Sequence, residues 1–265
     1  MDLNLKGRRA VVTGSTGGIG YAIARELALM SATVAVNGRT PDRVASAVAG
    51  LKADVGGGVF ITAPGDLATV EGTDAVVHAA PEADILVNNA GIFEPKAFFD
   101  ITDADWLKFF EVNVLAGIRL ARHYTPQMVK QGWGRVVFIS SESALQIPVE
   151  MVHYGMTKTA ELAVARGLAE TVAGTGVTVN SVLPGPTLSE GVETFMRQMA
   201  AGTANLDIEQ IGRDFIREHR PTSLIGRLAT IDEVANMVAY VCSPAASATT
   251  GAALRVDGGV VRAIV

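Results

Sequence analysis

The sequence predicts a doubly wound α/β fold, a parallel sheet with helices on both faces, in a single domain. Three observations carry that expectation. Short β-branched runs alternate with longer amphipathic segments, the pattern of strands joined by helical crossovers. The runs are almost continuously apolar, as suits strands covered on both faces. Finally, 265 residues, 49% of them apolar and 18% charged, suffice for one sizeable core, and no repeat, low-complexity tract or linker divides residues 1–265.

In chain order the first strand is "RRAVVT" (8–13), which runs directly into "GSTGGIG" (14–20) and a helix starting at about Ile19. Glycines permit a tight turn and let the backbone and a helix N-terminus approach a pyrophosphate. The strand before and the helix after raise this turn above a mere packing feature. Gly14, Ser15, Thr16, Gly18, Ile19 and Gly20 are therefore candidate cofactor-binding residues. The second strand, "TVAVN" (33–37), ends without a carboxylate for ribose hydroxyls. Arg39 instead offers a guanidinium fork to a 2′-phosphate, so NADP(H) is the expected cofactor and NAD(H) the alternative; a solvated surface arginine would look the same. Thr40 and Pro41 read as an N-cap with proline in the first helical turn.

"VFIT" (59–62), "DILVN" (84–88) and "RVVFIS" (135–140) are the third, fourth and fifth strands, "VTVNSVL" (177–183) the sixth and "ALRVD" (253–257) the seventh. Between the fifth and sixth, "YGMTKTAEL" (154–162) places Tyr154 and Lys158 four apart, on one face of a helix. A phenol beside a cation has a lowered pKa and can do acid–base work near neutrality. After the sixth strand about forty residues, roughly 186–225, are too long for a simple connection and read as a substrate-binding lid. Val192, Phe195, Met196 and Met199 recur there at helical spacing; packing on the core or on another subunit would produce the same stripe. Thr230 and Glu233 form a capping box before the last helix.

With 22 basic and 27 acidic residues, a net charge of -5, the chain has no polybasic footprint for nucleic acid or a membrane surface. Cys242 is the single cysteine, so neither a disulfide framework nor a cysteine-based zinc site is expected. The start, "MDLNLKGRRAVV", carries charges where a signal peptide needs an apolar run, and no later stretch suits a membrane span. A cytoplasmic protein acting on a small molecule, without metal, is the expectation.

"TGSTGGIG" (13–20), "NNAG" (88–91), "VNV" around Asn113, "ISS" (139–141), "YGMTK" (154–158) and "LPGP" (183–186), in this order and spacing, resemble the short-chain dehydrogenase/reductase family over nearly the whole chain. The resemblance implies a Rossmann-like seven-stranded sheet and a carbonyl/alcohol oxidoreductase. It implies Tyr154 as general acid or base, Ser141 as the hydrogen-bond donor to the substrate oxygen, Lys158 on the nicotinamide ribose, and Asn113, in a long fourth helix, holding a water linked to Lys158. By the same resemblance Asp66, Leu67, Asn88, Asn89, Ala90 and Gly91 line the adenosine region, while Pro184, Gly185, Thr187 and Ser189 approach the nicotinamide. Ser189 stands where many relatives have threonine. A homo-oligomer, tetramer or dimer, is also implied.

Other polar residues are expected to be bystanders. His153 diverges from Tyr154 by about 100° on the helix. Glu142 reads as solvated or structural, Trp106 and Trp133 as packing residues, Arg217 and Arg220 as solvent-facing. "SALQIPVEM" (143–151) with Leu188, Val192, Phe195 and Met196 suggests a mostly apolar pocket with no buried charge, open to a β-ketoacyl thioester, a steroid, a quinone or a simple ketone. The competing readings are an NAD-dependent alcohol dehydrogenase and a cofactor sensor without turnover; the set Ser141, Tyr154 and Lys158 argues against a sensor.

Overall fold

The computed structural model of the chain describes residues 3–199 and 207–264, and of residues 195–199 the backbone only. The chain begins β1 (Arg9–Val12), α1 (Gly18–Leu29), β2 (Thr33–Gly38), α2 (Pro41–Asp54), β3 (Val59–Pro64), α3 (Val70–Ala79) and β4 (Ile85–Asn88). It continues with α4 (Asp103–Phe110), a π-helical turn (Glu111–Leu115), α5 (Ala116–Gln131), β5 (Gly134–Ile139), α6 (Val152–Thr171) and β6 (Val177–Pro184). The last part holds β7 (Thr187–Leu188), α7 (Glu190–Met199), α8 (Ile208–His219), β8 (Ala229–Thr230), α9 (Ile231–Cys242) and β9 (Ala253–Val256).

Among the described residues seven strands form one sheet in the order β3-β2-β1-β4-β5-β6-β9, all pairs parallel. The chain winds outward from β1 to β3, then returns to β4 and winds the other way. Strand order therefore reverses between β1 and β4, where an open α/β sheet leaves a crevice at its carboxyl edge.

Strand alternation divides the core. Val12, Val34, Val87 and Val137 face Ile23 and Leu27 of α1 and Val234 and Val238 of α9. Val11, Leu86, Val136 and Phe138 face the other way, onto Leu120, Tyr124 and Met128 of α5 and Ala165 of α6. One-residue spacing along a strand thus decides which helical layer a side chain joins.

The Thr230–Glu233 capping box is present, whereas the Thr40 hydroxyl makes no cap bond; Pro41, lacking an N–H, already removes one donor from that helix start. The expected long fourth helix is interrupted by the π-helical turn that carries Asn113. The forty-residue excursion contains the expected amphipathic α7 and also α8, which was not foreseen. Phe195, Met196 and Met199 lie, as side chains, outside the described residues. Val192 packs with Leu188, Ile211, Phe215, Ile216 and Leu228 in a small satellite core of its own. No helix among the described residues is long and apolar enough to cross a membrane, and no group of acidic, histidine and cysteine side chains could hold a metal ion.

Candidate active site

At the carboxyl edge, Gly14 and Gly18 of the glycine turn take left-handed φ values of 60° and 55°, which glycine adopts freely. A Cβ on Gly20 would sit 2.4 Å from the Gly14 carbonyl oxygen and 2.5 Å from Asn89 Nδ2, so α1 meets the turn this closely only through glycine. The cradle is braced from behind. Asn37 Oδ1 accepts from Gly14 N (3.1 Å), and Asn89 Nδ2 donates to the Thr13 and Gly14 carbonyls (2.9 and 3.1 Å). Ser15, expected to bind cofactor, is fully buried: its hydroxyl donates to Val12 O (2.7 Å) and accepts from Asn37 N (3.0 Å). Its side chain therefore shapes the turn rather than facing it.

A cavity of about 500 Å³ extends from this turn to the start of α6. It gathers Gly18, Ile19, Gly20, Asn89, Gly91, Ser141, Tyr154, Lys158, Pro184, Gly185, Thr187 and Ser189. Gly14, Thr16, Arg39, Asp66, Leu67, Asn88 and Ala90 are not on its wall. Arg39 is exposed just past β2, with no hydrogen bond or ion pair among the described residues. Asp66 lies just beyond β3, exposed, its Oδ1 accepting from Ala68 N (3.1 Å), and Leu67 beside it is buried. Asn88 turns away from the cavity toward Gly117, its amide without a hydrogen-bond partner.

Tyr154 sits in the first turn of α6, its ring edge-on to Phe93 at 6.3 Å. One turn on, Lys158 is buried; its Nζ donates to Ile139 O (2.9 Å) and to both carboxylate oxygens of Glu161 (3.1 Å each), and lies 5.8 Å from the Tyr154 ring centre. Burial would lower the Lys158 pKa, but Glu161 and the Tyr154 phenol outweigh it and hold it up. Burial pushes Glu161 up to about 7 despite that lysine. The expectation that Lys158 leaves Tyr154 with a lowered pKa is corrected. Burial raises it, Lys158 and the neighbouring Ser141 side chain pull it down, Glu142 and Glu161 push it up, and the balance lies above the ordinary value. Glu161 was passed over in the sequence, although its place three residues after Lys158 was the available signal.

Asn113, buried in the π turn, accepts from Ile92 N (2.8 Å) and donates to Ile92 O and Thr157 Oγ1 (3.0 Å each), clamping the loop after β4 onto α6. His153 points away, as expected, its ring 4.0 Å from that of Phe109 and edge-on to Trp106. Trp133 packs between the guanidinium groups of Arg8 and Arg135.

The far end of the cavity overturns two expectations, a solvent-facing Arg220 and a pocket without buried charge, and decides for Glu142 between a solvated and a structural carboxylate. Glu142 is buried, accepts from the Ser141 hydroxyl (2.5 Å) and pairs with Arg220 Nε (3.3 Å). Arg220, expected to face solvent, has a side chain only 13% exposed, and its Nη1 reaches Glu150 Oε1 (3.3 Å) and the His219 carbonyl (2.8 Å). The pocket therefore combines a charged group with an apolar lining of Ile92, Phe93, Met151, Val192 and Phe215. Arg217 does face solvent, beside Asp214.

Residues 8–200 match the family model described as short chain dehydrogenase. The chain belongs to the short-chain dehydrogenase family. It is 49% identical, over the full length of both chains, to the uncharacterized oxidoreductase YvaG of Bacillus subtilis. It is 35% identical to the 3-oxoacyl-[acyl-carrier-protein] reductase FabG of Aquifex aeolicus, over 98% of this chain and 99% of the relative. Among solved structures, L-sorbose reductase of Gluconobacter frateurii, complexed with NADPH and L-sorbose, superposes with a TM-score of 0.92 at 32% identity over the whole of both chains. This short-chain dehydrogenase is accordingly an oxidoreductase of the CH–OH/C=O class that uses a nicotinamide cofactor.

Proposed function

We propose that this short-chain dehydrogenase is an NADP(H)-dependent oxidoreductase that interconverts a small-molecule carbonyl and its secondary alcohol, with Tyr154 moving the proton. One observation carries the reading: Ser141, Tyr154 and Lys158 line a single cavity whose other end is the glycine cradle. The cradle fits a dinucleotide, since Gly20 lets the N-terminus of α1 close against the turn, where the free amides of a helix start can meet a pyrophosphate. Gly14, Thr16, Gly18, Ile19 and Gly20 would hold the pyrophosphate; Asp66, Leu67, Ala90 and Gly91 the adenosine side; Lys158, Pro184, Gly185, Thr187 and Ser189 the nicotinamide side. When bound, the reduced nicotinamide supplies the hydride.

The protein's part is the proton. In reduction, Ser141 donates a hydrogen bond to the carbonyl oxygen, and Tyr154 passes its phenolic proton to that oxygen as negative charge develops. A phenol held above its ordinary pKa stays protonated at neutral pH, the form from which it can act as the acid. Asn113 keeps the α6 face in register through Thr157, and a water held beside Lys158 would return the proton from solvent. Residues 186–225 would act as the lid.

The NADP(H) preference rests on the unpaired Arg39 and on the absence of a carboxylate at the end of β2, and relatives solved with NADPH or NADP support it. A homo-oligomer is part of the same proposal, with the 71% exposed Leu107 of α4 available for a subunit contact. Two measurements test the reading. Tyr154→Phe should lower turnover by about 10²–10⁴-fold while NADPH still binds; substantial residual turnover removes the role. Arg39→Asp should cut the NADPH-to-NADH affinity ratio by about tenfold or more, roughly 1.4 kcal/mol; an unchanged ratio removes the preference.

A further inference from the structure

The Ser141 hydroxyl has one proton to give, and in this structure it goes to Glu142 Oε2 at 2.5 Å, while Ser141 Oγ itself accepts from Ser143 N at 3.1 Å. If Ser141 is to hydrogen-bond a substrate carbonyl, it must turn that proton away from Glu142. Oε1 of Glu142 stays with Arg220 Nε, but Oε2 is then a carboxylate oxygen without a donor on a side chain only 6% exposed. Leaving a buried charged acceptor unmet is costly, and a site built this way selects for a ligand that meets it. Once the substrate has displaced water from the pocket, the substrate is the group placed to supply that donor. The donor must stand about one hydrogen-bond length from the carbonyl oxygen, because Oε2 stands that far from Ser141 Oγ. A hydroxyl on the carbon next to the carbonyl satisfies this spacing.

The charge of the same wall narrows the class further. Two carboxylates, Glu142 and Glu150, share the single guanidinium of Arg220, which leaves one net negative charge. A carboxylate or phosphate on the substrate is repelled there, whereas neutral hydroxyls find acceptors.

Resting on the carbonyl-reduction reading above, we infer that the substrate is a neutral α-hydroxy ketone, of the keto-polyol class, whose hydroxyl donates to Glu142 while its carbonyl accepts from Ser141. Glu142 is thus the specificity-determining residue, and Arg220 holds it in place from the end of α8.

The test uses the purified full chain with saturating NADPH and three probes: hydroxyacetone; 2-butanone, in which a methyl replaces the hydroxyl; and acetoacetate as the anionic ketone. The expected result is a kcat/KM for hydroxyacetone about 100-fold above that for 2-butanone, with acetoacetate no better than 2-butanone. In Glu142→Leu that ratio should fall to below about tenfold, with Glu142→Gln in between. Each ratio is taken within one preparation, so loss of folded protein cancels, and the wild-type ratio needs no variant. Equal rates for hydroxyacetone and 2-butanone, a ratio untouched by Glu142→Leu, or a preference for acetoacetate would overturn the inference and leave the reductase reading standing. If NADPH binds, as read by its fluorescence, but no ketone is reduced and no alcohol oxidised, the reductase reading falls and the inference with it.

Discussion

Two ion pairs flank Tyr154, and they are built in opposite ways. Lys158 and Glu161 lie three residues apart on one helix, with side chains 5% and 4% exposed. Arg220 and Glu142 are 78 residues apart in sequence, join the loop after β5 to the end of α8, and stand at the cavity wall with a third partner, Glu150, that is 44% exposed. The local pair is closed: both Glu161 oxygens are taken by one ammonium. The long-range pair is open, because Glu142 keeps one oxygen for a donor that can change. A closed pair can adjust the phenol's proton affinity but cannot distinguish substrates, whereas an open one can do both, since each carboxylate raises the Tyr154 pKa.

Removing one partner from each pair should separate these roles. The largest effect is expected from Arg220→Met, which leaves a buried carboxylate with its guanidinium gone. The loss should be about 2–3 kcal/mol, a fall in Tm of roughly 4–10 °C, with KM rising more than kcat falls. A variant as stable as the wild type, with KM unchanged, would make the open pair a bystander.

Next comes Glu161→Gln, where the sign follows from the raised pKa. Folded Glu161 titrates at about 7 against an ordinary 4.5, so the folded chain binds the extra proton between those values. Its contribution to stability is full below pH 4.5 and is lost as pH rises to about 7. Tm measured from pH 4.5 to 8 should therefore fall in the wild type relative to Glu161→Gln. A constant difference between the two curves would mean that Glu161 does not titrate in that window. The smallest effect is expected from Glu150→Gln, half-exposed and screened: about 0.2–1 kcal/mol. A larger loss would move the weight of the open pair from Glu142 to Glu150.

The same contrast explains what could be read from the sequence. Every strand of the sheet was legible within a residue or two, because a buried parallel strand must be apolar along its length. Tyr154 and Lys158 were legible because four-residue spacing fixes a shared face, and Gly18 and Gly20 because a tight passage from strand to helix needs glycine at such positions. Glu161 obeyed the same local rule. Glu142 with Arg220 did not: no periodicity links two residues so far apart, and an arginine in a polar stretch looks solvated until the end of α8 is placed over the pocket. Ser15 was misjudged for a related reason, since the turn's path decides which of its side chains face inward.

The segment after β6 touches both ends of the cavity. At its start a Cβ on Gly17 would lie 3.3 Å from Glu190 Oε2, and one on Gly18 would lie 3.4 Å from Ser189 Cβ; at the end of α8 it delivers Arg220 to Glu142. The glycine cradle and the substrate end of the cavity thus share one stretch of chain, so a side chain added at Gly17 or Gly18 would press on the start of α7 at one end of a segment whose other end holds Glu142.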